Sequence, residues 1–415
     1  MQNTRWSLLA VLTLGLAACG GGKSGASSPT DSIPDAAALT LEVTGGPAER
    51  AAAQTLPAAL AAASAPTWPQ TGDNLALAQK KIAAVNSVIR SILDHVADVA
   101  TQEGAPWQGK GKWYGPKDRC TVEVLVGTAC PPDQAATFRL WVGTAGMGRG
   151  GAFVLEAKAV GAADDTYKAV LAGWMLRGAL PRRGLGQIWI DLDHLKLAAS
   201  GYPGQGVLYG GFAAAGLPVV KVETLVLVAF TPDPNTWPAA TVAFRGFKTA
   251  AGTARVRVAA LDNYVSTTSA DELGLFHVVY NDALGGRAFA IVTDYSTDGG
   301  VTPIGDVPAG YYYFGRSCYA AGSLDAPAFA EWFLCPKTEG PVACLADTGN
   351  QFTILEGTGW AQDCAIKGEP AEFGPPDSAP GVDPTALPSP LPGEDATGLT
   401  AQDPPAATDA MPAPG

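Results

Sequence analysis

From Trp107 onward, apolar residues recur at every second position in short runs, with no long helical period between them. The runs fall at residues 137–142, 152–160, 167–176, 187–192, 206–212, 219–230, 240–247, 254–261, 273–280, 287–295 and 310–319. A period of two gives each segment one apolar face and one wetter face, as a strand half-buried in a sheet requires. Turn residues punctuate the runs, as in Gly146-Met147-Gly148, Asp233-Pro234-Asn235 and Asp298-Gly299-Gly300. Runs this close together leave no room for crossover helices, so neighbouring strands must be antiparallel. The expected fold class is mainly β: an antiparallel meander, whether barrel, half-barrel or sandwich.

One segment ahead of the strands has a different period. Leu75, Ala78, Ile82, Val85, Ile89, Ile92, Val96 and Val99 recur at steps of three and four, which places them on one stripe of a helix. Asp73 or Asn74 caps its start, and Gly104 with Pro106 ends it. Lys80, Lys81, Arg90, Asp94 and Asp98 are expected on the side turned away. A stripe sustained this long predicts a long amphipathic helix packed on the meander.

The two ends have other compositions. Residues 1–18 carry Arg5 and then an apolar stretch from Trp6 to Leu16. That stretch is shorter than the roughly 20 residues of a spanning helix and suits a signal peptide. It ends in Leu16-Ala17-Ala18-Cys19 and is followed by glycines, which resembles the lipobox of bacterial lipoproteins. The resemblance implies cleavage before Cys19 and lipid attachment, with palmitate among the chains, at its sulfur. Several acyl chains hold a protein on a membrane without a spanning helix. Gly20 stands where inner-membrane retention would place an acidic residue, so the expected location is the outer membrane, on its periplasmic face or at the cell surface. Residues 19–72, rich in Ala, Gly, Ser and Pro, read as a disordered tether with helix propensity at 57–65. Residues 73–364 form the helix and β-rich domain. Residues 365–415 form a disordered, acidic, Pro- and Ala-rich tail.

Charge and cysteine content narrow the function. A net charge of −12 excludes nucleic acid as a partner and disfavours anionic lipid surfaces. Beyond Cys19 the chain has Cys120, Cys130, Cys318, Cys335, Cys344 and Cys364, an even number in an exported chain, which reads as disulfides. Among the pairings the spacing leaves open, Cys120 with Cys130, Cys335 with Cys344, and Cys318 with Cys364 are expected. No Cys-x-x-Cys occurs, and the histidines are only His95, His194 and His277, so no metal or cofactor is expected.

Each motif with chemical content has a plainer reading. Gly20-Gly21-Gly22-Lys23-Ser24 lies in the tether and lacks the strand and helix of a phosphate loop. Gly146 to Gly151 matches Gly-x-Gly-x-x-Gly, but a strand pattern follows where a pyrophosphate site needs a helix, so a hairpin loop is expected. Asp191 and Asp193 would stand about 7 Å apart on one strand face, a separation that carboxylate pairs use in glycoside hydrolysis. The plainer reading, preferred here, ends the strand there, with Asp193 capping a short helix over 194–199. Asp294-Tyr295-Ser296-Thr297-Asp298-Gly299 matches the first half of a calcium loop, but Gly305 stands where the bidentate acid belongs, so a polar turn is expected. Trp141, Trp174, Trp189 and the run Tyr311-Tyr312-Tyr313-Phe314 read as core and cross-strand pairs in preference to a ligand platform.

Taken together, the chain resembles a group of lipoproteins common in myxobacteria and their relatives. The likeness rests on the lipobox, residues 80–99 with Asn86, Trp113-Tyr114-Gly115-Pro116, residues 188–193, Gly286-Arg287-Ala288 and the segment around Cys318, where Tyr319 replaces the Trp of the pattern. It spans most of residues 75–335. It implies a lipid anchor, one amphipathic helix and a β-rich domain, and carries no catalytic residue. The expected role is therefore non-catalytic: binding of an apolar ligand in a pocket under the helix. The alternative is a protein-interaction or envelope-structural lipoprotein. A hydrolase using Asp191 and Asp193 ranks third. Expected partners are the membrane, through the lipid, and an apolar small molecule or an envelope protein.

Overall fold

The computed structural model describes residues 31, 33–40, 74–101, 111–122, 129–145, 150–177, 182–214, 221–232, 240–248, 254–262, 272–281, 285–294, 310–321, 327–336 and 351–355. The strands are β1 (Gly111–Cys120), β2 (Ala135–Ala145), β3 (Gly150–Ala159), β4 (Lys168–Arg177), β5 (Gly184–Asp191), β6 (Gln205–Ala214) and β7 (Lys221–Thr231). They continue as β8 (Ala240–Lys248), β9 (Ala254–Asp262), β10 (Glu272–Asn281), β11 (Gly285–Asp294), β12 (Tyr311–Tyr319), β13 (Phe329–Pro336) and β14 (Gln351–Leu355). All pair in chain order in one 14-stranded antiparallel sheet. Among the described residues three α-helices accompany it: α1 (Ala36–Leu39), α2 (Asn74–Ala100) and α3 (Leu192–Ala198).

The sheet curls without closing. A flat sheet would hold β1 and β12 about 53 Å apart, at eleven steps of about 4.8 Å. Yet α2, about 40 Å long at 1.5 Å per residue, reaches both. Near its start, Leu75 N donates to Tyr319 Oη at 3.0 Å and Asn74 Nδ2 donates to Ser317 Oγ at 3.3 Å, both on β12. Near its end, Asp98 pairs with Lys117 at 2.6 Å and Arg119 at 3.2 Å, both on β1. Among the described residues no pairing joins β1 to β14.

The helix forms where its period demanded, and it is more enclosed than an amphipathic pattern requires. The stripe is buried throughout, from Leu75 to Val99, and so are Ala84, Val88 and Leu93 beside it. Asp94 is exposed, as expected, but Lys81 is 2 % exposed and Asn86 1 %. The expectation that Lys81 faces water is corrected: a helix wrapped by sheet has little wet side, and Lys81 is held inside among partners. α3 packs on β2, β3, β4 and β6, and α1 packs on α2 and β6. Helices thus occupy the curl.

Part of the segment expected to be a free tether is folded. Asp35 caps α1, its carboxylate accepting from Ala38 N at 2.7 Å, and Ile33, Ala38 and Leu39 are buried. The remaining expectations for residues 1–72, including the signal peptide, Cys19 and the helix over 57–65, lie outside the described residues. So do those for residues 365–415.

The disulfide Cys120–Cys130 is present, with Cα atoms 5.6 Å apart. Cys318 and Cys335 are also disulfide-bonded. They are not bonded to each other, because Cys318 lies opposite Phe329 and Cys335 opposite Tyr312, positions about 20 Å apart along the strands. Cys344 and Cys364 lie outside the described residues. Gly315 shows how tightly this end is packed: the Trp332 ring of β13 occupies the space where a side chain at 315 would stand.

Candidate aromatic face of β1 to β6

The alternation in β1 to β6 sends Tyr114, Phe138, Leu140, Leu155, Ile188, Ile190 and Leu208 into the main core with α2. The residues between them turn to the opposite face, where Trp141, Val154 and Ala172 form a separate buried cluster flanked by Trp113, Ala152 and Ala169. The pairing register lines these up in one row across six strands. Trp113 lies opposite Trp141, Trp141 opposite Val154, and Val154 opposite Ala172. Ala172 lies opposite Trp189, and Trp189 opposite Tyr209. The expected cross-strand aromatic pairs therefore exist, and they share one face.

The row has aromatic ends and a short-chain floor. Trp141 fits against β1 because Gly111 has no side chain: a Cβ there would come within 2.8 Å of the indole. Trp174, one row along, donates from Nε1 to Gln187 Oε1 at 3.3 Å. By contrast, Nε1 of Trp113, Trp141 and Trp189 and Oη of Tyr209 are all buried without a hydrogen-bond partner. Burial pushes the Tyr209 phenol up to about 12. A buried polar group left unpaired costs about 1–3 kcal/mol, so four in one row require an explanation.

The rim beside this row is polar and internally neutralised. The Arg139 guanidinium lies 4.4 Å from the Trp113 ring centre and 3.9 Å from that of Tyr167, and its Nε meets Glu156 Oε2 at 2.6 Å. Lys158 Nζ lies 4.8 Å from the Tyr167 ring centre and 2.6 Å from Asp164 Oδ1. The hydrogen bond from Lys158, with its charge, holds the Asp164 carboxyl below its ordinary range. Each cation has its own acid, which leaves the aromatic row uncharged.

The residues singled out from sequence are placed elsewhere. The capping expectation for Asp193 is corrected by two residues: α3 begins at Leu192 and its cap is Asp191, whose Oδ1 accepts from His194 N at 2.9 Å. Asp193 Oδ1 accepts from Gly206 N at 2.9 Å. Because β5 ends at Asp191, the two do not share a strand face, and each carboxylate serves the backbone. Burial, opposed by the His194 N–H, raises the Asp191 carboxyl. His194 Nδ1 is 2.8 Å from Ala169 O.

Of the motif Gly146 to Gly151, Gly150 and Gly151 begin β3, opposite Ala145 and Thr144, and the other four residues lie outside the described residues. Asp294 ends β11, and Tyr295 to Gly305 lie outside the described residues. Among the described residues no group of His, Cys, Asp and Glu gathers as a metal site, and no helix is long and apolar enough to cross a membrane.

Comparisons with known proteins add no relative: no family model matches, and neither the curated proteins nor the solved structures yield a match. The sequence singles out Trp141 and Trp189 as cross-strand aromatics but not their alignment with Trp113 and Tyr209 in one row, because both sit among apolar neighbours on each side. Two apolar faces erase the alternation that would have marked them as facing away from the helix.

Proposed function

We propose that this chain is a lipid-anchored binding protein of the cell envelope, of the lipoprotein group it resembles, which acts without catalysis. The lipobox at Cys19 supports the anchor, and the disulfide-bonded cysteines suit an oxidising compartment. The observation that carries the binding reading is the row Trp113, Trp141, Trp189 and Tyr209, whose ring N–H and O–H groups have no partner within the protein. Its floor, Val154 and Ala172, is apolar. Helices α1 to α3 occupy the curl, so the ligand belongs on this other face.

Native mass spectrometry of the mature protein, extracted from its own membrane in mild detergent, tests the reading. A non-covalent adduct is expected, and Trp189→Ala should reduce it strongly. A bare protein identical in mass pattern to a folded Trp189→Ala variant would defeat the proposal.

A further inference from the structure

We infer that the rim of the sheet formed by the strand ends from β4 to β8 is a membrane-contact surface, laid on the phosphate headgroups of the bilayer that holds Cys19; the inference rests on the lipid anchor proposed above. Register brings the cations together. Arg177, at the end of β4, lies opposite Gly184 of β5. Arg182 and Arg183 stand just before Gly184, both partly exposed. Ala214, at the end of β6, lies opposite Lys221 of β7, and Lys221 lies opposite Lys248 of β8. These five cations share one rim, over about 19 Å at four strand steps of about 4.8 Å. Lys221 and Lys248 set like charge against like charge, a pairing that destabilises a sheet and that a nearby anion relieves.

The sequence keeps acids away from these strand ends: 178–183, 215–220 and 249–253 contain no Asp or Glu. The opposite rim, from β3 to β10, carries Asp164, Asp165, Asp191, Asp193, Asp262 and Glu272, with Lys168 and Lys196 among them. The net charge of −12 therefore hides a division between a cationic rim and an acidic one. An anionic bilayer attracts the first and repels the second.

The path of the chain selects the same rim. The segment that follows Cys19 meets the sheet here: Arg182 N donates to Asp31 O at 3.4 Å, and Asp35 N donates to Arg182 O at 3.2 Å. Arg182 Nε donates to Ile33 O at 3.3 Å. Asp31 and Asp35 are acids that arrive with this segment. Asp35 Oδ2 stands 3.7 Å from Arg183 Nε, a loose contact that leaves 34 % of the Arg183 side chain exposed. Asp31 follows Cys19 by twelve residues, and a Gly- and Ser-rich chain of that length averages about 20 Å end to end. A ten-residue strand such as β4 or β6 is about 33 Å long. A bilayer at Cys19 therefore lies nearer the cationic rim than the acidic one.

For the test, the mature chain with Cys19→Ser keeps every described element and carries no acyl chain. It is sedimented with vesicles of phosphatidylglycerol and phosphatidylethanolamine, and with phosphatidylcholine vesicles as the neutral probe. Binding to the anionic vesicles alone is expected, and it should fall as salt rises. Arg177→Gln, Lys221→Gln and Lys248→Gln leave the contacts of residues 31–35 in place, and a thermal melt checks that each is folded. Each should weaken binding about fivefold, the effect of one cation near an anionic surface. Lys168→Gln with Lys196→Gln, on the acidic rim, should bind as the parent does. No binding of the parent to anionic vesicles, equal binding to neutral ones, or binding that the three rim variants leave unchanged would each overturn the inference. The acyl mass on Cys19 of the native protein, read by mass spectrometry, separates the two proposals. An acylated Cys19 without rim binding leaves the anchor and removes the surface; rim binding without the acyl mass does the reverse.

Discussion

The imidazole of His95 lies on the ring of Phe138, with centres 4.6 Å apart and planes 16° from parallel. This stack joins α2 to β2 inside the curl. Neither ring nitrogen has a hydrogen-bond partner. Burial, with a smaller push from Arg119 and a pull the other way from Asp98, lowers the His95 pKa from 6.5 to about 4.

The folded protein therefore holds His95 neutral at a pH where the unfolded chain protonates it. Stability should be unaffected by this group above pH 6.5 and should fall as pH drops from 6.5 towards 4. A depression of this size corresponds to about 3 kcal/mol when fully expressed. Urea unfolding at pH 7 and pH 4.5 measures the loss, and His95→Phe should remove most of the difference. An equal pH dependence in that variant would show that other groups carry it.

The Cys120–Cys130 bond closes a short loop at the end of β1, an edge strand paired to β2. A loop of this length contributes about 2–3 kcal/mol through the unfolded state. The double variant Cys120→Ser, Cys130→Ser should lose that much in a denaturant melt and should fray β1 first, read by amide exchange at Asp118 and Arg119. Thiol titration of the unfolded, oxidised mature protein should find no free cysteine. A free thiol would break the expectation that Cys318 and Cys335 take Cys344 and Cys364 as partners.

Alternation revealed those strands whose two faces differ. It failed at β13, Phe329–Pro336, where both faces are buried and the sequence is apolar almost throughout. It failed for the opposite reason at β1, where only Tyr114 is buried and Gly115-Pro116 reads as a turn. α1 spans four residues, too few for any period, and is ordered by the Asp35 cap and by burial against α2. The aromatic row depends on register across six strands, and register is set by hairpins whose lengths composition does not encode.

Lipid on Cys19 is expected to hold the chain on the outer membrane. Cys19→Ser should remove the acyl mass and release the protein, cut or uncut, from the membrane pellet after a high-salt wash. If the variant still pellets with outer membrane, another part of the chain holds it there and the anchor proposal falls.

Ile89 is fully buried midway along α2, and Ile82, Val85, Ile92 and Val96 are buried with it. At about 1.5–3 kcal/mol per side chain, these five contribute on the order of 10 kcal/mol, comparable to the net stability of a whole domain. The ends of the helix are pinned to opposite parts of the sheet, at Ser317 and Tyr319 and again at Lys117 and Arg119. The sheet is therefore curled around α2, and a change at its centre should be felt by strands that never touch Ile89. Ile89→Asp places an unpaired charge in that interior at a cost of several kcal/mol. It should lower the melting temperature of the entire β domain in one cooperative step, if the variant folds at all. Asp94, exposed on the same helix, is the control: Asp94→Ala should shift stability by no more than about 0.5 kcal/mol. The rival idea gives the stripe to a second protein. It requires that Ile89→Asp leave the monomer's melting temperature unchanged and abolish an oligomer on a sizing column. A thermal melt and a sizing run on both variants separate the two, and an unshifted melt would refute the helix as the centre of this fold.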